Sequence, residues 1–200
     1  TIVAVNVICN GNSTGSADMT VSGGILPINY NWSNSSTTQD IAGLSADWYY
    51  VTVTDAIGCL AYDSVDITEP AVVTATISAQ GNVSCNGGNN GIAFVTAGGG
   101  ISPYTYLWSN SQTLPFISSL SADIYSVTVT DNIGCTAATS VTITEPAQLT
   151  AIISSFSNIS CNGNTNGTAT VLAGGGTIPY SYLWNDPAPQ QTTVTATGIA

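Results

Sequence analysis

Leu44-Ser-Ala-Asp-Trp-Tyr-Tyr-Val-Thr-Val-Thr-Asp55-Ala-Ile-Gly-Cys59 returns as Leu120-Ser-Ala-Asp-Ile-Tyr-Ser-Val-Thr-Val-Thr-Asp131-Asn-Ile-Gly-Cys135 with three changes. Tyr49, Val51 and Val53 alternate with Tyr50, Thr52 and Thr54, the two-residue period of a strand buried on one face. Asp55 and Asp131 then stand first, and Gly58 and Gly134 fourth, in a four-residue stretch, the placement a type I turn favours. A half-buried strand running into a tight turn and a cysteine, met twice, reads as one unit of an all-β repeat.

Working outward, the step is 76 residues: it separates Cys9, Cys85 and Cys161, then Trp32, Trp108 and Trp184, then Glu69-Pro70 and Glu145-Pro146. Residues 1–76 lie on 77–152 without a gap, with more than half of the positions identical. The third copy follows through Tyr180, Tyr182 and Trp184, then gains three residues in the loop Asn185 to Gln191, so that Ile199 matches Leu120. It stops before its second cysteine, and the segment is expected to be a piece of a longer array.

Ile28, Tyr30 and Trp32 form a second inward set, Ala17, Met19 and Val21 a third, Val65 and Ile67 a fourth. Turn signals separate them at Asn10 to Gly15, Gly23 to Pro27, Ser33 to Thr38 and Asp55 to Gly58. Val, Thr, Ser and Ile dominate, and the residues that favour helices are sparse. Short strands at this spacing predict tandem immunoglobulin-like β-sandwich domains in a linear array: 1–70, 71–146 and an incomplete 147–200. The Pro after each Glu closes a domain. The next strand is expected near Ala71-Val-Val and Ala147-Gln-Leu, leaving almost no linker and a stiff string.

The 200 residues contain no Lys, Arg or His, and Asp and Glu number 11. Charged residues are 6% of the chain, against about 25% in an ordinary domain. A chain without cationic side chains has no footprint for nucleic acid or an anionic membrane, no imidazole for acid–base work and no lysine for Schiff-base chemistry. At 44% hydrophobic residues it is not an acidic disordered tail. No stretch reaches the roughly 18 apolar residues of a membrane span, and no basic region followed by an apolar core opens the chain, so export signals are expected outside this segment. Stability must come from apolar burial, the strand ladders and any disulfides.

Each copy combines Cys-Asn-Gly, small residues, a strand, Gly-Gly, Pro, a Tyr-x-Trp-like strand and the Leu-Ser-Ala-Asp-x-Tyr motif above; Cys85-Asn-Gly to Gly99-Gly100 and Pro103-Tyr104-Thr-Tyr106-Leu-Trp108 carry it most fully. This resembles the SprB repeat of giant cell-surface adhesins from gliding Bacteroidetes, except that Asp47 and Asp123 stand where that family usually has Gly. The resemblance implies surface display, export by the type IX route and a part in adhesion or a surface filament, not an enzyme.

In an extracellular protein the five cysteines Cys9, Cys59, Cys85, Cys135 and Cys161 are disulfide candidates. Pairing within copies, Cys9 to Cys59 and Cys85 to Cys135, is the first expectation, although an immunoglobulin-like strand order sets those positions toward opposite ends of the sandwich. Pairing between copies, for instance Cys9 to Cys135, and free thiols are the alternatives. Asp55 and Asp131 read as turn residues; a calcium ion between domains, held by Asp55, Asp47 or Glu69, is the sharper alternative, without the spacing of a known calcium loop. Trp32, Trp108 and Trp184, with Tyr49 and Tyr125, read as core. Trp48 and Tyr50 should face outward together, either covered by a crossing loop or free to stack on sugar or a neighbouring strand of a fibre. Asp63-Ser64-Val65 resembles the O-glycosylation sequence of the same bacterial group, which makes Ser64 a glycan candidate. The expected partners are other copies or neighbouring repeats and surface polysaccharide, with no cofactor required. The tandem repeat together with the resemblance leads to the expectation of a structural segment of an extracellular filament or stalk, with a glycan-binding adhesin module as the alternative.

Overall fold

The structure, a computed structural model, describes residues 1–185 and 190–199. The first copy forms β1 (Ile2–Val5), β2 (Gly15–Met19), β3 (Asn29–Trp32), β4 (Ile41–Leu44), β5 (Asp47–Thr54) and β6 (Leu60–Ile67). They make two antiparallel sheets, in the orders β1-β2-β4 and β3-β5-β6. Strands one, two and four opposite three, five and six is the immunoglobulin arrangement without its fourth strand. The second copy repeats it: β7 (Thr74–Gly81), β8 (Gly91–Gly98) and β10 (Phe116–Leu120) form one sheet, while β9 (Thr105–Trp108), β11 (Asp123–Thr130) and β12 (Thr136–Ile143) form the other. The third copy shows one sheet, β13 (Thr150–Ser157), β14 (Gly167–Gly174) and β15 (Thr195–Ile199). The segments that build the other sheet's central and edge strands, 47–67 and 123–143, have no counterpart before residue 200. The fold is a tandem series of immunoglobulin-like β-sandwiches.

By its internal contacts the chain divides into two compact units, 1–78 with 95–115 and 126–140, and 79–94 with 116–125 and 141–200. The first unit contains the whole sandwich of the first copy. Its core follows from the period-two pattern of β5, which buries Tyr49, Val51 and Val53 and turns Trp48, Tyr50 and Thr52 outward. Ala17, Met19, Ile41 and Leu44 come from the other sheet to meet them, with Trp32 between. Burying an indole requires a partner for its N–H: Trp32 Nε1 donates to the Thr38 carbonyl at 2.9 Å, and Trp108 Nε1 to that of Leu114 at 3.0 Å. In the second unit, the lone sheet of the third copy leaves Ile152 and Phe156 exposed and Trp184 half-buried.

The three extra residues of the third copy fall in the loop 185–191, of which residues 186–189 lie outside those described. The flanks carry the step. Trp32 N donates to Ser36 O and Trp108 N to Gln112 O, four residues on, whereas Trp184 N donates to Gln191 O, seven on. Ile199 then pairs with Gly167 as Leu120 pairs with Gly91 and Leu44 with Gly15.

One expectation is corrected. The strands after each Glu-Pro begin at Thr74 and Thr150, three residues later than expected. Ala71 O accepts from Gly100 N at 2.9 Å, and Ala147 O from Gly176 N at 2.7 Å, so the intervening backbone bonds to the Gly-Gly turn instead of a strand ladder.

Trp32→Ala should cost about 3–5 kcal/mol in urea unfolding, because it empties the centre of the first sandwich. Tyr62→Ala, at an exposed position of β6, should stay within about 0.5 kcal/mol. A loss at Trp32 no larger than that at Tyr62 would show that the indole is not core.

Candidate functional site at the repeat junction

The chain's polar and covalent chemistry gathers where the first copy hands over to the second, inside the first unit. After β6, Glu69 turns its carboxylate back on the Cys9 loop. Asn10 Nδ2 donates to Glu69 Oε1 at 2.8 Å and to the Pro70 carbonyl at 3.1 Å, and Gly11 N donates to Glu69 Oε2 at 2.7 Å. The second unit repeats this clamp. Asn86 Nδ2 donates to Glu145 Oε1 at 2.9 Å and Pro146 O at 3.2 Å, and Gly87 N to Glu145 Oε2 at 2.6 Å. The Glu-Pro pair therefore both ends a strand and fixes the loop that carries the first cysteine. In the sequence both motifs repeat at the same step of 76 residues, which marks them as equivalent in each copy without showing that they touch.

On the other side of the joint, Gly99 has φ of +65°, and a Cβ there would sit 1.8 Å from the Val72 carbonyl oxygen. Only glycine permits that approach. Gly175 meets Gln148 O in the same way at 2.0 Å, while Gly23 of the first copy has nothing within 4 Å.

The Asp turns stand beside these glycines. Asp131 Oδ1 accepts from Cys135 N at 2.8 Å and Ile133 N at 3.0 Å, and Oδ2 from Ile101 N at 3.0 Å. Asp55 takes the same set from Cys59, Ile57 and Ile25 at 2.9, 3.1 and 3.2 Å. Gly58 N and Gly134 N close the turns onto Asp55 O and Asp131 O. These carboxylates are thus consumed by backbone donors. Asp47 accepts from Trp48 N and Glu69 serves the clamp, so the residues considered for calcium do not converge. Among the described residues no three His, Cys, Asp or Glu side chains cluster.

The turn at Asp131 presents Cys135 to the clamped Cys9, and the two are bonded, with Cα atoms 5.6 Å apart. The bond spans 126 residues and ties the first copy to the second. In the loop-entropy model a closure of that length contributes about 4–5 kcal/mol. The pairing within copies does not form. Cys59 precedes β6, whereas Val7 N bonds Thr68 O just past its far end. The eight residues of β6 hold Cys9 and Cys59 apart, by roughly 25 Å at strand rise. Cys59, Cys85 and Cys161 are free and exposed.

The sequence profile of the SprB repeat matches this chain three times, at residues 1–37, 77–113 and 153–189, more than half of its length. The chain belongs to the SprB repeat family. It is a repeat segment of the surface-adhesin type. No curated protein matches it as a relative. Among solved structures it is similar to the N-terminal eight Ig domains of Down Syndrome Cell Adhesion Molecule isoform 1.30.30, at 12% identity and a TM-score of 0.30, over 89% of this chain and 27% of that one.

The remaining candidates lie away from the junction of the SprB repeats. Tyr49, Tyr125, Trp32 and Trp108 are buried. Trp48 and Tyr50 are 52% and 58% exposed and stack on each other with ring centroids 6.4 Å apart. The second copy carries Ile124 and Ser126 at these positions. Ser64 is exposed on β6, an edge strand of its sheet. No helix among the described residues is long and apolar enough to cross a membrane.

The Asp turns set an acid limit. The Cys59 N–H holds the Asp55 carboxyl below the ordinary value of 3.8; burial opposes this, and the N–H groups of Ile25, Ile57 and Gly58 add to it. At Asp131 burial pushes upward, but the N–H groups of Ile101, Cys135, Ile133 and Gly134 outweigh it and the net shift is again downward. A group whose folded pKa is depressed contributes stability that is complete above its unfolded pKa and lost as pH falls through the folded one. The melting temperature should therefore be unaffected by these two groups from pH 7 to about 5 and fall below about pH 4. Asp55→Asn with Asp131→Asn should lower the neutral-pH melting temperature and flatten that acid limb; an acid limb as steep as before would show that these turns do not set it.

Proposed function

We propose that this chain is a structural stretch of a long extracellular surface filament or stalk, built from domains at 1–70, 71–146 and 147–200 and exported by the type IX route. The observation that supports it best is the Cys9–Cys135 bond, which joins consecutive repeats instead of closing one. A bond within a repeat stabilises that repeat alone; a bond between repeats resists bending and separation at the joint. The absence of Lys and Arg fits the same setting, since trypsin-like proteases find no cleavage site. Neighbouring repeats and other copies of the chain are the partners this reading requires. Edge strands without lysine to blunt them offer a route to lateral contact.

A second reading is favoured by one observation. The exposed Trp48–Tyr50 stack is a sugar-sized aromatic platform present in one copy and absent from the other. On that reading the segment also holds surface polysaccharide.

Electron microscopy of native, unreduced parent protein tests the structural reading. Thin strings or ordered filaments with an axial repeat of roughly 35–45 Å, as strands of this length imply, are expected. Compact particles with no axial repeat would overturn it.

A further inference from the structure

We infer that the Cys9–Cys135 bond is one rung of a ladder in which the first cysteine of each repeat bonds the second cysteine of the repeat that follows. Cys85 and Cys161 are then half-cystines for a following repeat, and Cys59 is one for a preceding repeat. This rests on the reading of the chain as part of a longer array.

Both halves of the rung are already built at the free positions. Cys85 is carried by the same Asn–Gly–Glu clamp as Cys9, with each hydrogen bond within 0.1 Å of its counterpart. The carbonyls of Cys9, Cys85 and Cys161 each accept from the N–H three residues on. Cys59 is held by Asp55 Oδ1 as Cys135 is by Asp131 Oδ1, at 2.9 and 2.8 Å. What differs is cover. In the second copy, where a repeat precedes, Cys135 is 7% exposed and Ile133 39%. In the first copy Cys59 is exposed and Ile57 is 68% exposed. Gly23, Gly99 and Gly175 show the same contrast. The two with a preceding joint lie against its carbonyl, and Gly23 keeps the same left-handed backbone with nothing beside it. The face around Cys59 is the face that a preceding repeat covers.

Each rung forms from two thiols and a disulfide-bearing oxidant. One thiolate attacks a sulfur of the oxidant's disulfide to give a mixed disulfide. The second thiolate displaces the oxidant, which leaves as a dithiol, and the two thiol protons are passed to it. The loops overlap, because a rung starting at Cys85 begins inside the loop of 126 residues closed by Cys9 and Cys135. A single backbone break inside overlapping rungs then leaves the array in one piece.

The test is a chain of residues 1–152 followed by a second copy of 77–152 that carries Ser84→Thr and Thr136→Ala as mass marks beside its two cysteines, oxidised with a glutathione redox pair, digested with pepsin at acid pH without reduction and mapped by mass spectrometry. The ladder predicts a Cys9–Cys135 peptide and a peptide joining Cys85 to the second cysteine of the added copy, with two thiols left, at Cys59 and at the added copy's first cysteine. Cys85 bonded to Cys135, Cys85 left free, or bonds between separate chains would overturn it. A second measurement needs no extension: in the 200-residue chain, Cys9→Ser should leave four free thiols, and transfer of Cys135 to Cys59 or Cys85 would contradict the ladder. Mispaired cysteines in a chain whose parent still shows the axial repeat would sink the ladder alone; loss of the axial repeat would sink the array reading.

Discussion

A chain without cationic side chains offers its carboxylates backbone N–H groups, neutral amides and hydroxyls, and water, and the structure is organised around where the backbone N–H groups stand. Asp55 and Asp131 each gather backbone donors from two separate loops. Glu69 and Glu145 each gather a backbone donor and an asparagine amide from a loop 58 or 59 residues upstream. An ion pair between exposed side chains would contribute little and tolerate loose geometry. A carboxylate bridging backbone groups instead fixes two loops to each other. These fixed loops carry the cysteines, so the electrostatic solution and the covalent one share the same joints.

The strands were legible because their signal is local. The alternation Tyr49, Val51, Val53 is a property of five consecutive residues, and the burial of β5 repeats it residue by residue. The Asp-to-Gly turns were legible for the same reason, through one residue type at each of two positions. The Glu69 clamp was not, because Glu-Pro already had a sufficient role as a strand terminator and nothing local ties it to Asn10. The joint residues 71–73 looked like a strand from their apolar character; their backbone is taken by the neighbouring Gly-Gly turn, which only the fold brings near. The cysteine pairing was open because both connectivities use the same repeated positions, and the choice depends on which end of a strand each one occupies. The spacing of 76 residues shows that positions are equivalent without showing which equivalents meet.

The position of the bond decides what kind of object the repeats make. Within a sandwich the core already supplies cohesion, as the burial of Trp32 and its neighbours shows. Between the first two sandwiches the joint carries the Gly100–Ala71 backbone bond, the close approach of Gly99 to Val72 and one covalent link. That division of labour fits the filament or stalk proposed above.

Pulling the chain from its ends by single-molecule force spectroscopy, before and after reduction, tests this most directly. With Cys9 bonded to Cys135 the intervening 126 residues are locked out of extension. Reduction should therefore lengthen the fully unfolded chain by roughly 420–450 Å, at 3.3–3.6 Å per residue. Two gains of roughly 165–180 Å each, the length of a loop of about 50 residues, would mean that each repeat closes on itself. No gain at all would mean that the joint has no covalent link.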